Sequence, residues 1–154
     1  MDSSITPARQ GQRLLQVGMF LFLGALLVGL AIPSFAVPRL GLSAHLVALM
    51  QALFVMVLGL FWHRLALPLA MLRAAFWLAL YGCFAPVTAT LLAATWAAGS
   101  TLLPQAAGSA HGSALQEGII AGLLRTGGAS LIVMSILVLW GLRMKASRAD
   151  IGAE

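Results

Sequence analysis

Charge is what this sequence has least of. Of its 154 residues only 8% are charged while 61% are apolar, where a soluble domain carries roughly 25% charged residues. A water-facing surface cannot be built from that composition, so a soluble globular domain is excluded. Acidic residues number four, too few for a carboxylate metal cage or a paired-carboxylate acid–base site. A single cysteine, Cys83, rules out an intramolecular disulfide and any CxxC redox or zinc motif, and with it the membrane thiol-exchange proteins that feed electrons to quinones. Lying in an apolar segment, Cys83 reads as a small buried hydrophobe. There is no HExxH, no P-loop and no recognisable Ser-His-Asp spacing. The net charge of +5 does not point to nucleic acid, because the basic residues form no patch and sit at the ends of apolar runs.

What is there is a set of long apolar runs. Each crossing of a bilayer needs about 20 apolar residues, which predicts an all-α, four-helix membrane bundle forming a single domain over residues 1–154. The spans are expected at 14–32, 43–62, 73–98 and 115–142. Met1–Gln12 reads as loose or interfacial, and the first apolar run is too long for a signal peptide, so it reads as a retained helix. Pro33 and Pro38 bracket a turn, Ser43 is the expected N-cap of the second span, and Trp62, His63 and Arg64 read as an interfacial belt. Small residues at Ala25 and Gly29, at Ala85, Ala89 and Ala93, and at Gly118 and Gly122 have the spacing of close helix contacts. Pro86 inside the third span predicts a kink with the Gly82 carbonyl freed. Residues 99–113 are the longest loop, and Asp150–Glu154 reads as a polar tail.

Arg9 and Arg13, Arg64 and Arg73, and Arg143, Lys145 and Arg148 all fall at one end of the spans, with Arg39 alone at the other. The positive-inside rule then places both termini in the cytoplasm. His45, His111, Gln116 and Glu117 gather at the outer face, while Arg125 lies deeper, roughly 12 Å along its helix from Glu117. Such an arginine needs Glu117, a carbonyl or a lumen as partner, or it snorkels.

Polar groups inside a span mark function, and the stretch Gly41–Trp62 carries two. His45 presents a neutral imidazole at the membrane edge, suited to a transition metal or a haem iron, or to a plain hydrogen bond. Gln51 follows about 9 Å deeper and points about 120° away, so the two do not face one small pocket in a monomer.

Several stretches in order resemble the hydroxylaminobenzene mutase family, which is related to styrene oxide isomerase. They are Pro38–Leu46 with its Gly41-Leu42-Ser43-x-His45, Leu58–Trp62, Phe76–Gly82, Leu91–Trp96, Gly112–Glu117 with its Gln-Glu, and Leu139–Arg143 with its Trp-Gly-Leu-Arg, and the resemblance covers roughly Leu14–Arg143. It implies a membrane isomerase that rearranges a small aryl substrate within the molecule. The reaction types are aryl hydroxylamine to aminophenol, or epoxide to aldehyde. It also implies a homo-oligomer, a trimer, with haem b on His45 at subunit interfaces and the iron acting as a Lewis acid, in the inner membrane of a bacterium. Gln51, Tyr81 and Glu117 are the implied pocket residues. Two positions depart from the family pattern: Gln51 stands where the family has asparagine, and Pro86 stands where an asparagine follows Tyr-Gly-aromatic-Ala. The scaffold and the cofactor survive these changes, and the substrate stays open. The rival readings are a non-catalytic haem protein and a cofactor-free structural or transport subunit.

Overall fold

The computed structural model describes residues 7–151, with side chains through Arg143. It is all-helical among those residues: α1 (Pro7–Ala31), α2 (Pro38–Phe61), α3 (Leu69–Trp96), a one-turn α4 (Pro104–Ala107) and α5 (Ala114–Ile151). The four long helices have the length and hydropathy of membrane spans. Their outer faces carry large apolar side chains such as Phe20, Met50, Leu60, Trp77 and Leu139, and Leu30 is 81% exposed. Water would not tolerate that surface and lipid does. The protein is integral to a membrane.

The helices start earlier than hydropathy places them. Polar residues at a span's end sit at headgroup depth, where a helix remains the economical way to satisfy the backbone, so α1 already includes Pro7–Gln12. The rest of the N-terminus expected to be loose, Met1–Thr6, lies outside the described residues. The α2 helix begins at Pro38, whose fixed φ suits the first helical position, with Val37 as N-cap. Ser43 is therefore not the cap but a residue of the second turn. Likewise α3 begins at Leu69, directly after Pro68, and runs without interruption through Pro86. The long loop contains α4, and α5 continues into the expected polar tail, whose last three residues lie outside the described ones.

The spans form two helical hairpins. The most extensive packing is α1 on α2 and α3 on α5, and α2 against α3 joins the pairs. In the first hairpin the backbones meet: a Cβ on Gly59 would lie 2.9 Å from the Gly11 carbonyl oxygen and 3.0 Å from the Leu15 nitrogen. In the second, Gly127 sits against Ala85 and the Pro86 ring, and the buried Ala89 and Ala93 extend the small-residue stripe as expected. The expected contact at Gly118 and Gly122 is absent from the protomer, where both face open space on the outer side of α5.

One core cluster gathers Leu14, Trp62, Leu72, Phe76, Cys83 and Met134. Trp62 is fully buried instead of belonging to an interfacial belt, because its indole N–H finds an internal acceptor: Nε1 donates to Gln10 Oε1 at 3.1 Å, and Gln10 is itself buried. His63 and Arg64 do stay exposed. A second cluster, at the opposite end, is built mostly from alanines around Leu40 and Ile120.

Candidate functional site

The end of the bundle that holds the α1–α2 turn, the α3–α5 loop and the first turns of α2 carries the polar chemistry. His45 lies at the start of the third turn of α2 and leans on α1, where Nδ1 lies 2.7 Å from the Ala25 carbonyl oxygen. A carbonyl oxygen only accepts, so Nδ1 carries a proton, and in the neutral ring Nε2 holds a lone pair. No protein hydrogen bond engages Nε2 among the described residues. It is not sealed either, because no buried side-chain nitrogen or oxygen there lacks a partner. The lone pair therefore reaches the protomer surface. An imidazole whose Nδ1–H is tied to a backbone carbonyl and whose Nε2 is free has the orientation and tautomer of a metal ligand. One imidazole nitrogen of this kind would suit a metal already held in a cofactor such as haem. No cluster of His, Cys, Asp and Glu capable of caging a bare ion occurs among the described residues.

Gln51, about one and two-thirds turns further along α2, opens onto a different feature. It lines a cleft of about 280 Å³ between α2 and α5, together with Met50, Phe54, Leu131 and Ser135. The amide and the Ser135 hydroxyl are the polar groups of an otherwise apolar recess. Tyr81, half-exposed on α3, places its hydroxyl 2.7 Å from Thr126 Oγ1, and Thr126 in turn donates to the Gly122 carbonyl of its own helix. Pro86 is buried in the α3–α5 contact against Gly127. The family asparagine would fall at that contact.

Glu117 is committed elsewhere. Its Oε1 accepts from the backbone N–H groups of Gly99 (2.7 Å), Ser100 (3.1 Å) and Gly112 (3.2 Å) and from the Ser100 hydroxyl, while Oε2 accepts from Thr101 N–H at 3.1 Å. The carboxylate ties both ends of the 99–113 loop to the first turn of α5. Gln116 completes the arrangement by exchanging hydrogen bonds with Ser113 in a capping box. The loop so fixed lays α4 beside the start of α2, where Leu102–Ala106 and Ser43 line a recess of about 420 Å³. With Glu117 turned into the loop, Arg125 lies exposed on the outer face of α5.

The expected site residues thus occupy separate places in one protomer, and no hydrogen bond links Gln51, Tyr81 or Glu117 to His45. His111 is an exposed loop residue. Sequence reasoning missed Gln10, Ala25, Thr126 and Ser130 as polar or carbonyl partners. A signal for some of them was present, since every polar side chain inside a span must find a partner, but the pairings join residues far apart in sequence.

Comparison with known proteins places the chain. The profile of a family described as styrene oxide isomerase matches residues 10–143. A hydroxylaminobenzene mutase, HabB of Ectopseudomonas oleovorans, is 45% identical over 148 residues, covering 96% of this chain and 90% of the relative. A second, HabA of the same organism, is 36% identical over 125 residues, 81% of this chain and 93% of its own length. No solved structure matches at a significant level.

Proposed function

The chain belongs to the styrene oxide isomerase family and is an isomerase of the mutase type, and from that premise we propose that it rearranges a small aryl hydroxylamine to an aminophenol inside the membrane, using haem b held by His45. Likeness to two hydroxylaminobenzene mutases across nearly the whole chain supports the reaction class. The observation that carries the cofactor is His45, with Nδ1–H anchored on Ala25 and Nε2 open. An epoxide-to-aldehyde rearrangement is the second reaction of the same kind. In either, the product has the atoms of the substrate, so no cosubstrate is needed.

When bound, haem iron supplies a Lewis acid for the oxygen of the weak N–O or strained C–O bond. The chain's own residues do the rest. The Ala25 carbonyl keeps the proton on Nδ1 and so keeps Nε2 available. The apolar walls of Met50, Phe54 and Leu131 suit an aryl ring arriving from lipid, and a neighbouring copy would have to bring them to a His45 and close them to water that would divert a cationic species. The Gln51 amide and the Tyr81 hydroxyl are the polar groups proposed to meet the substrate. Glu117 contributes by holding the loop beside α2. This reading takes the working unit to be a homo-oligomer, a trimer by family resemblance. The open Nε2 and the uncovered Gly118–Gly122 face support it, since both leave room for a neighbouring copy. It also takes the termini to be cytoplasmic and the membrane to be the bacterial inner one, on the strength of Arg9, Arg13, Arg64 and Arg73 lying at the end opposite His45.

The test is an absorption spectrum of the detergent-purified protein alongside conversion of phenylhydroxylamine. A Soret band that shifts on reduction is expected, and His45→Ala should lose both the band and the conversion while still assembling. Full haem occupancy in that variant removes His45 as the ligand, and a colourless wild type that still converts the substrate removes the cofactor.

A further inference from the structure

In an α-helix the carbonyl at position i points along the axis toward the C-terminus, and the side chain at i+4, tilted back toward the N-terminus, overhangs it. A group approaching that carbonyl from outside the helix must pass the i+4 side chain. The His45 ring does so at Ala25, whose i+4 residue is Gly29. A Cβ built on Gly29 would lie 2.9 Å from both Nδ1 and Cε1 of His45 and 3.6 Å from Cγ. The imidazole therefore occupies the volume that any other residue at position 29 would claim. It is also tethered there, since Nδ1 sits 2.7 Å from the Ala25 oxygen and Ala25 itself is fully buried. The obstructing atoms are ring atoms tethered at Nδ1, not the free end of a flexible chain.

We infer that Gly29 is a positioning residue for His45: it opens the Ala25 carbonyl to the imidazole, and so fixes the ring's tautomer and the direction of Nε2. The inference rests on His45 being the working ligand. Its physical content, which nitrogen carries the proton and why, is separate from what Nε2 binds. A side chain at position 29 displaces the ring, breaks the Nδ1–H bond and lets the imidazole populate the other tautomer, in which Nε2 is protonated and cannot ligate iron. Gly24, on the same helix, is the matched control, because nothing lies within 4 Å of a Cβ built there.

The experiment compares wild type, Gly29→Ala and Gly24→Ala in detergent with ¹⁵N-labelled histidine and no bound haem, reading ring nitrogen shifts, with His45→Ala identifying the His45 signals among the three histidines. Haemin is then titrated into each. Wild type and Gly24→Ala should show one tautomer, protonated at Nδ1. Gly29→Ala should show a mixture and bind haemin about 10- to 100-fold more weakly. Unchanged ring shifts in Gly29→Ala overturn the inference. A wild type that binds no haemin but shows the tautomer change at position 29 keeps the inference and removes the cofactor proposal instead. Should Gly29→Ala fail to assemble, the double variant His45→Ala/Gly29→Ala decides, since removing the ring frees the space the new methyl needs. Restored assembly supports the contact, and continued failure shows that Gly29 serves something other than His45 and overturns it.

Discussion

The Trp62 end of the bundle is packed with large side chains and closes on itself, whereas the His45 end is built from alanine and glycine and stays open. At the first, Leu14, Trp62, Leu72, Phe76 and Met134 interlock, the Trp62 and Phe76 rings meet edge to face at 6.3 Å, and the buried Gln10–Trp62 pair is satisfied internally. At the second, the buried Ala25, Ala44, Ala48, Ala89 and Ala93 bring the helices close together. The imidazole and the loop carboxylate are held by backbone groups instead of by packing. One end holds the helices together, and the other presents an imidazole tied at one nitrogen only. The cost of a substitution should therefore appear as lost stability at one end and as lost ligand chemistry at the other.

Trp62→Ala tests that division most severely. Removing a fully buried indole and stranding its Gln10 partner should cost about 3–5 kcal/mol, read as a lower unfolding midpoint in mixed micelles, with His45→Ala leaving that midpoint nearly unchanged. Equal losses from the two would erase the distinction between the ends. Glu117→Ala should have a smaller and local effect of about 1–3 kcal/mol. The amides of Gly99, Ser100, Thr101 and Gly112 should exchange hydrogen faster, while those of the Trp62 core keep their protection. If the whole protein loosens instead, the loop is part of the core. Thr126→Val, which removes the hydroxyl that meets Tyr81, should shift stability by only about 0.6 kcal/mol, the average for hydrogen bonds between membrane helices. If Tyr81 meets substrate, this change should alter turnover more than it alters the midpoint.

The two ends also differ in how far they could be read from sequence. The spans themselves were legible, because an uncharged apolar run of about 20 residues is stable only in hydrocarbon. So was His45, because an imidazole within such a run stands out. Helix starts were not, since a hydropathy argument sees the hydrocarbon depth and α1 and α2 begin outside it. The position of Trp62 inside the core depended on an acceptor 52 residues away, at Gln10, and no local pattern announces such a partner. Glu117 was legible as a helix-start residue, but its hold on Gly99, Ser100, Thr101 and Gly112 depends on how the loop returns. The spacing of Ala25 and Gly29 correctly marked a close approach of helices, but it could not show that the approaching group is an imidazole. The spacing of Gly118 and Gly122 marked the same motif on a face the protomer leaves uncovered.

The His45 anchor has a consequence for biogenesis. Ala25, Gly29 and His45 all belong to the first hairpin, and every contact that sets the imidazole's tautomer lies between α1 and α2. Once α2 has left the ribosome and entered the bilayer, the groups that orient the ring are all present, before α3 and α5 exist. The imidazole can thus be set on a nascent chain, and the second hairpin packs against a first hairpin that already holds it.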